Sequence, residues 1–465
     1  MKKIFFLAVS LVCIAINTSN AQIKVLLDFN GTNGALPQGD VILSGDVLYG
    51  MASGGGAHGQ GCIFSIHTNG TGYKDLLDFD GTNGGDPYGS LILSGSTLFG
   101  MAQVGGANSD GLVFSIRTNG AGFKDILDFN TNNGGGPKSS LILSGAKLFG
   151  TTYTGGGHAD GNVFTIDTNG KNYKDLYAFS WSDGSSPWGS LYLSGHKLYG
   201  MTYQGGAHGV GCIYSIDTNG TAYKDMYDLN TTDGANPEGA LIRYGSLLYG
   251  MAYSGGANSA GLIFSIDTNG TGFKDIHDFA PASGAYPNGS LTLSGTTLFG
   301  MTQGSGAAGS IFSINISGSG YTDLYNFNGT DGKNPDGSLI LSGDTLYGMT
   351  AFGGTGQGPG QGVVFGYKVV LTGINEIASN SGSADIYPNP TNGQLNIRIM
   401  DNDARTKNLK IYNLLGEEVL STYLNSAQGE TYRINLVNQP SGIYFYRLLN
   451  ESGEQFAQGK LVVSK

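Results

Sequence analysis

Seven prolines, Pro37, Pro87, Pro137, Pro187, Pro237, Pro287 and Pro335, stand in matching loops, and each is followed by a different residue: Gln38, Tyr88, Lys138, Trp188, Glu238, Asn288 and Asp336. A constant frame that varies one position suits a recognition surface, because the frame fixes geometry and the variable side chains supply the chemistry. An exposed position left to drift would leave the same trace. Both tryptophans, Trp181 and Trp188, fall in the loop "SWSDGSSPWG", with Tyr88 and Tyr286 at or beside equivalent positions. Aromatic rings stack on the apolar faces of sugars while Asp, Asn and Ser fix hydroxyls, so this group is a candidate glycan site. Packing of the rings against neighbouring loops is the alternative. Glu238 and Asp336 supply the carboxyl pair that a glycosidase or lyase would need, roughly 5 to 9.5 Å apart in glycoside hydrolysis.

Other chemistries are less well supplied. His58, His158 and His208 share a loop position that Asn108 and Asn258 take in other copies. They belong to separate units and should lie too far apart for one zinc ion with bonds of roughly 2.0 Å. The His/Asn interchange suggests a turn position tolerant of positive φ. The loop "DFDGTNGGDP" from Asp78 resembles an oxygen-rich calcium loop, yet other copies read "AFSWSDGS" and "DFAPASGA", so its acids are not kept. The recurrent Lys-Asp pairs, such as Lys174-Asp175, read as solvated strand starts. GxSxG, HExxH and Walker motifs are missing, so no catalytic residue, cofactor or metal is assigned.

These residues must be positioned by a repeat. The phrase "LYGM", or a close variant, recurs at Leu48, Leu98, Leu148, Leu198, Leu248, Leu298 and Leu346, at a spacing of 50 residues until the last interval, which is two shorter. One unit holds four strand-like runs, "SLILSG", "TLFGMAQ", "LVFSIRT" and "FKDILDF", with Asn119-Gly120 suited to a two-residue hairpin between the last two. Four strands with apolar residues on both faces must be buried on both faces, which predicts an all-β seven-bladed β-propeller. The seventh copy has only three runs, and "IKVLLDF" from Ile23 matches the missing fourth, so the N-terminal strand is expected to close the ring. The residue after each proline would enter the innermost strand and line the channel mouth. The two long Gly-rich loops of each unit would share that face.

The recurring phrase, as in "LYGMTYQGGAHGVGCIYSIDTNG", resembles the tandem repeat called GloVer, found in exported bacterial proteins with varied anchoring tails. The resemblance covers Ile23 to about Val370 and implies a propeller-like surface protein without transferring a catalytic residue. After a polar linker, 371–384, the chain changes character: "YPNPTNGQLNI", "KIYNLLGEEV", "SGIYFYRL" and "GKLVVSK" follow in order. Their spacing suits a small Ig-like β-sandwich over 385–465. They resemble the C-terminal sorting domain of type IX secretion cargo, with Pro388, Asn389, Pro390, Gly393, Gly416, Gly442 and Lys460 in its motifs. Pro388 and Pro390 should fix an extended lead-in, and the three glycines should sit at turns. The resemblance implies passage through the outer-membrane type IX machinery and later removal of the domain.

Composition agrees with export. Lys2 and Lys3 precede an apolar run from Ile4 to Ile16 and a small-x-small site ending at Ala21, the pattern of a signal peptide over 1–21. The propeller would then occupy 22–370. A formal net charge of −11 without a Lys/Arg cluster argues against a nucleic-acid partner, and no later run is long enough for a transmembrane helix. Cys62 and Cys212 occupy matching positions three units apart, too far for a disulfide, and read as buried apolar residues in a monomer. The sequence thus points to a secreted or surface-attached propeller that binds or adheres through a glycan. The alternatives are a carbohydrate-active enzyme at the channel mouth and a structural scaffold with a protein partner.

Overall fold

The structure, a computed structural model, describes residues 23–281, 284–304, 308–355, 360–369, 384–399, 407–413, 418–424, 431–449 and 455–464. The expected signal peptide, the linker up to residue 383 and Gly416 lie outside the described residues. The chain divides into two compact units, Met1–Val370 and Leu371–Lys465.

The first unit is all-β: seven four-stranded antiparallel sheets follow one another along the chain. The first comprises Ile42–Ser44, Val47–Ala52, Cys62–His67 and Lys74–Asp78, hydrogen-bonded in that order. The repeated phrase is explained by its faces. In the second strand Leu48 packs against Met349 and Val364 of the seventh sheet, while Tyr49 and Met51 pack with Leu98 and Phe114 of the second. Gly50 lies opposite Phe64 in the ladder, and a Cβ there would stand 2.6 Å from the Phe64 ring. Glycine is required because that ring fills the space, and the ring itself meets Phe29 edge-on at 5.3 Å. Such aromatic pairs add roughly 0.5–1.5 kcal/mol beyond area burial. Equivalent apolar clusters fill every interface between consecutive sheets, and one joins the seventh sheet to the first.

The seventh sheet is completed by the N-terminal strand, Ile23–Asp28, which runs antiparallel to Val363–Lys368, with Ile23 opposite Tyr367. A belt of hydrogen bonds ties the sheets together near their first strands. The backbone N–H of Asp40 donates to Ser90 Oγ at 2.7 Å, Ser90 to Ser140 at 2.8 Å and Ser140 to Ser190 at 2.8 Å. Beyond it, Ala240 donates to Ser290 at 2.8 Å, Ser290 to Ser338 at 2.8 Å, and Ser338 back to the Asp40 carboxylate. Ala240 has no hydroxyl to receive Ser190, so the belt lacks one link. The chain here is closely apposed: a Cβ on Gly239 would stand inside contact distance of the Gly289 carbonyl oxygen.

Several local expectations change. The first strands are three residues long in six sheets, and only the sixth, Pro287–Ser294, includes the residue after the proline. Elsewhere that residue precedes the strand. Six residues separate Leu112–Arg117 from Lys124–Asp128, so Asn119-Gly120 is no two-residue hairpin. Gly120 takes positive φ, but the Asn119 side chain instead accepts the Ala121 N–H at 3.0 Å. In the histidine loops positive φ falls one residue later, on Gly59, Ser109, Ala159, Gly209 and Ser259. Asn108 and Asn258 use their side chains to donate to the carbonyls of Phe129 and Phe279, both at 2.9 Å. The Lys-Asp pairs also do more than meet solvent, since Lys174 and Lys224 Nζ each donate at 2.5 Å to a turn carbonyl of the next sheet, Asn219 and Asn269.

The second unit holds a three-stranded sheet, in the order Ala384–Tyr387, Gln394–Ile399 and Thr431–Asn435. Its four-stranded sheet runs Glu418–Leu424, Lys407–Tyr412, Gly442–Leu449 and Gln455–Val463. Leu395, Ile397 and Ile434 from one sheet share a core with Leu409, Ile411, Leu448 and Leu461 from the other. Residues 388–390 bend instead of extending, because Asn389 is held sideways: its Nδ2 donates to Lys460 O and its Oδ1 accepts from Val462 N–H, both at 2.8 Å. Gly393 has φ of 105°, as a turn requires, whereas Gly442 opens a strand opposite Val463.

Candidate functional site

The loops that carry the seven variable residues are built from local polar geometry. Asp80 Oδ1 accepts the N–H of Thr82 at 2.8 Å and of Asn83 at 3.0 Å, an Asx turn. One of its two carboxylate oxygens is thus engaged in shaping the turn. The acid at the end of the fourth strand caps the adjoining loop: Asp78, Asp128, Asp228 and Asp278 each accept the N–H of an alanine, at 2.8, 2.6, 2.7 and 2.7 Å. Burial raises the nearby Asp125 carboxyl to about 6, with the Asp128 charge adding to it. The two long loops are joined by bridges such as Gly85 to Val104, so together they form one rim.

At that rim Gln38, Tyr88, Lys138, Trp188, Glu238, Asn288 and Asp336 line a single cavity of about 50 Å³. The structure therefore brings together all seven positions read from the prolines. Trp181 stands apart in a short 3-10 turn, Trp181–Asp183, with 53% of its surface exposed. Its ring lies beside Gly209 and not against Trp188. Tyr286 stacks on Tyr253, with ring centroids 5.3 Å apart.

The rim has two chemically distinct parts. In one, Trp188 meets Tyr88 and Tyr153 edge-on at 5.5 Å each and Tyr203 at 5.1 Å. Lys138 Nζ lies over these rings, 3.5 Å from the Trp188 centroid and 4.2 Å from that of Tyr153. Burial pulls the Lys138 ammonium below its ordinary range, opposed by the Glu238 charge. In the other part, burial first and then the Asp336 charge push the Glu238 carboxyl up to about 8, against the pull of Lys138 and a hydrogen bond from Asn288. Burial likewise raises Asp336 to about 6, although Gln303 Nε2 donates to it. Tyr253 donates in turn to Gln303 Oε1 at 3.1 Å.

Sequence reasoning missed this supporting tier. Ser53, Gln103, Tyr153, Tyr203, Tyr253, Gln303 and Ala351 form a second variable position, just after the second strand of each sheet. Aligning the copies there would have found it. Each tier pairs with the other, as in Gln38 Nε2 to Ser53 Oγ at 3.2 Å.

No curated protein matches the sequence. Among solved structures, an oligogalacturonate lyase in complex with manganese is similar at a TM-score of 0.46 and 10% identity, over 76% of this chain and 94% of that one. A puromycin-hydrolyzing peptidase of Mycobacterium tuberculosis is similar at 0.47 and 12%, over 79% of this chain and 59% of that one. Neither likeness bears on activity. No helix among the described residues is long and apolar enough to cross a membrane. The Gloeobacter/Verrucomicrobia repeat matches residues 12–196 and 176–310, and the secretion system C-terminal sorting domain matches residues 385–464. The chain belongs to the Gloeobacter/Verrucomicrobia repeat family, and its type IX sorting domain directs it to the cell surface or to secretion.

Proposed function

We propose that the seven sheets are the blades of a closed seven-bladed β-propeller occupying 22–370, and that the tail is an Ig-like sorting sandwich. On this reading the protein is a binding or adhesion module outside the cell that holds a glycan across the mouth of the propeller. The observation that carries it is the rim itself, where one half is aromatic, around Trp188, and the other offers Glu238, Asn288 and Asp336. That division suits a sugar, which presents an apolar face and an edge of hydroxyls. A cavity of about 50 Å³ holds only one or two waters, so a sugar would lie on the rim and not inside the channel.

The test is retention of the secreted full chain on a panel of immobilised polysaccharides, compared with Trp188→Ala. Loss of retention in a folded Trp188→Ala protein supports the assignment, and unchanged retention removes it. A second reading, a carbohydrate-active enzyme, is favoured by the two carboxyls of one cavity, where burial pushes Glu238 up to about 8 and Asp336 up to about 6, the order that suits an acid and a base. Breakdown products in the same experiment, lost in Glu238→Gln, would select it.

A further inference from the structure

The aromatic half of the rim already holds a cation. Lys138 Nζ lies 3.5 Å from the Trp188 centroid, 4.2 Å from Tyr153 and 5.4 Å from Tyr88, so three π faces converge on one ammonium group. Around the same cavity stand further oxygen atoms, one of which has no partner. Gln38 Oε1 is buried without a hydrogen-bond partner. Its orientation is fixed by chemistry: the Ser53 hydroxyl donates its only proton to Leu36 O at 2.8 Å, so it must accept from Gln38 Nε2. The amide oxygen is therefore the atom left over. Glu238 and Asp336 add two carboxyl groups to the same lining, and Lys138 forms no ion pair with either among the described residues. Its flexible four-carbon stem can leave the seat without disturbing the backbone.

From this arrangement we infer that the rim receives the primary ammonium group of an aminated ligand, with Lys138 occupying the seat in the ligand's absence. The inference rests on the glycan reading above and specifies it: the sugar carries a free amine. A quaternary ammonium would satisfy the rings alone, whereas a primary ammonium adds three N–H donors to a lining that also holds Gln38 Oε1, Glu238 and Asp336. A bound ammonium would favour the ionised form of both carboxyls, and so lower them from about 8 and about 6.

The experiment titrates the full chain with a glucosamine hexamer and, separately, with its N-acetylated counterpart, which has the same skeleton without the charge. The expected result is binding of the amine form at least tenfold tighter than the acetylated one. Lys138→Met, which keeps stem volume but removes the internal occupant, should tighten amine binding severalfold. Equal binding of the two hexamers would overturn the ammonium inference while leaving the glycan reading intact. Binding of the polysaccharide panel but of neither hexamer would do the same, and absence of all sugar binding would remove both. Weaker amine binding by Lys138→Met would show that the lysine is a ligand contact and refute its role as occupant.

Discussion

Glu238 offers a quantitative test of the rim. Its carboxyl titrates near 8 in the folded protein against an ordinary value of 4.5, because it is buried beside Asp336. The folded state therefore keeps a proton that the unfolded chain has already released. Its contribution is fully present below the unfolded value and is lost as pH rises through the folded one, at up to about 1.4 kcal/mol per pH unit in between. From pH 5 to pH 7 the wild type should lose roughly 2–3 kcal/mol relative to Glu238→Gln, in which the neutral amide does not titrate. Asp336 contributes to both proteins over a lower range, and the difference between them largely subtracts it. The assay is urea unfolding of wild type and variant at pH 5, 6, 7 and 9 without ligand. Stability curves that run parallel from pH 5 to pH 9 would refute the buried acid pair and, with it, the acid–base reading of the rim.

The belt and the loop caps yield further tests. Gly239→Ala, whose methyl group would press on the Gly289 carbonyl, should destabilise by about 1–3 kcal/mol in thermal unfolding. Ala240→Ser should add the missing acceptor for Ser190 and stabilise by about 1 kcal/mol. In the third sheet Ala178 stands where other sheets have the capping aspartate, and Ala178→Asp should gain about 1 kcal/mol by accepting the Gly157 N–H, measured as an increased denaturation midpoint. Deleting Ile23–Asp28 would leave Val363–Lys368 as an open edge, and light scattering should then detect more association than in the intact chain.

The fold was legible to the extent that burial is periodic. Leu48, Tyr49 and Met51 recur because each sheet is covered on both sides, and the missing fourth strand of the seventh copy was visible as Ile23–Asp28. The variable residues after the prolines were legible because a constant frame exposes a change. Their partners were not: Tyr153 and Gln303 follow the "TT" and "MT" ends of strands, where an aromatic or amide reads as ordinary strand composition. Trp181 stands seven positions before Trp188 in sequence, yet its 3-10 turn places the ring beside Gly209. The seating of Lys138 among three rings depends on contacts between different sheets, which linear spacing does not encode.

The strand that completes the seventh sheet also sets the clock of the molecule. The contact between Asp28 and Thr355 joins positions 327 apart, and closing so long a loop costs entropy before any pairing rewards it. Folding must therefore wait until nearly the whole repeat array is present and ordered. The same step works in reverse as a latch: every sheet is flanked on both sides, so the seam between the seventh and first sheets parts only when Ile23–Asp28 leaves Val363–Lys368 and the cluster of Leu48, Met349 and Val364 separates. For a protein delivered outside the cell, where damage is not repaired by refolding factors, lifetime is governed by how seldom that latch releases.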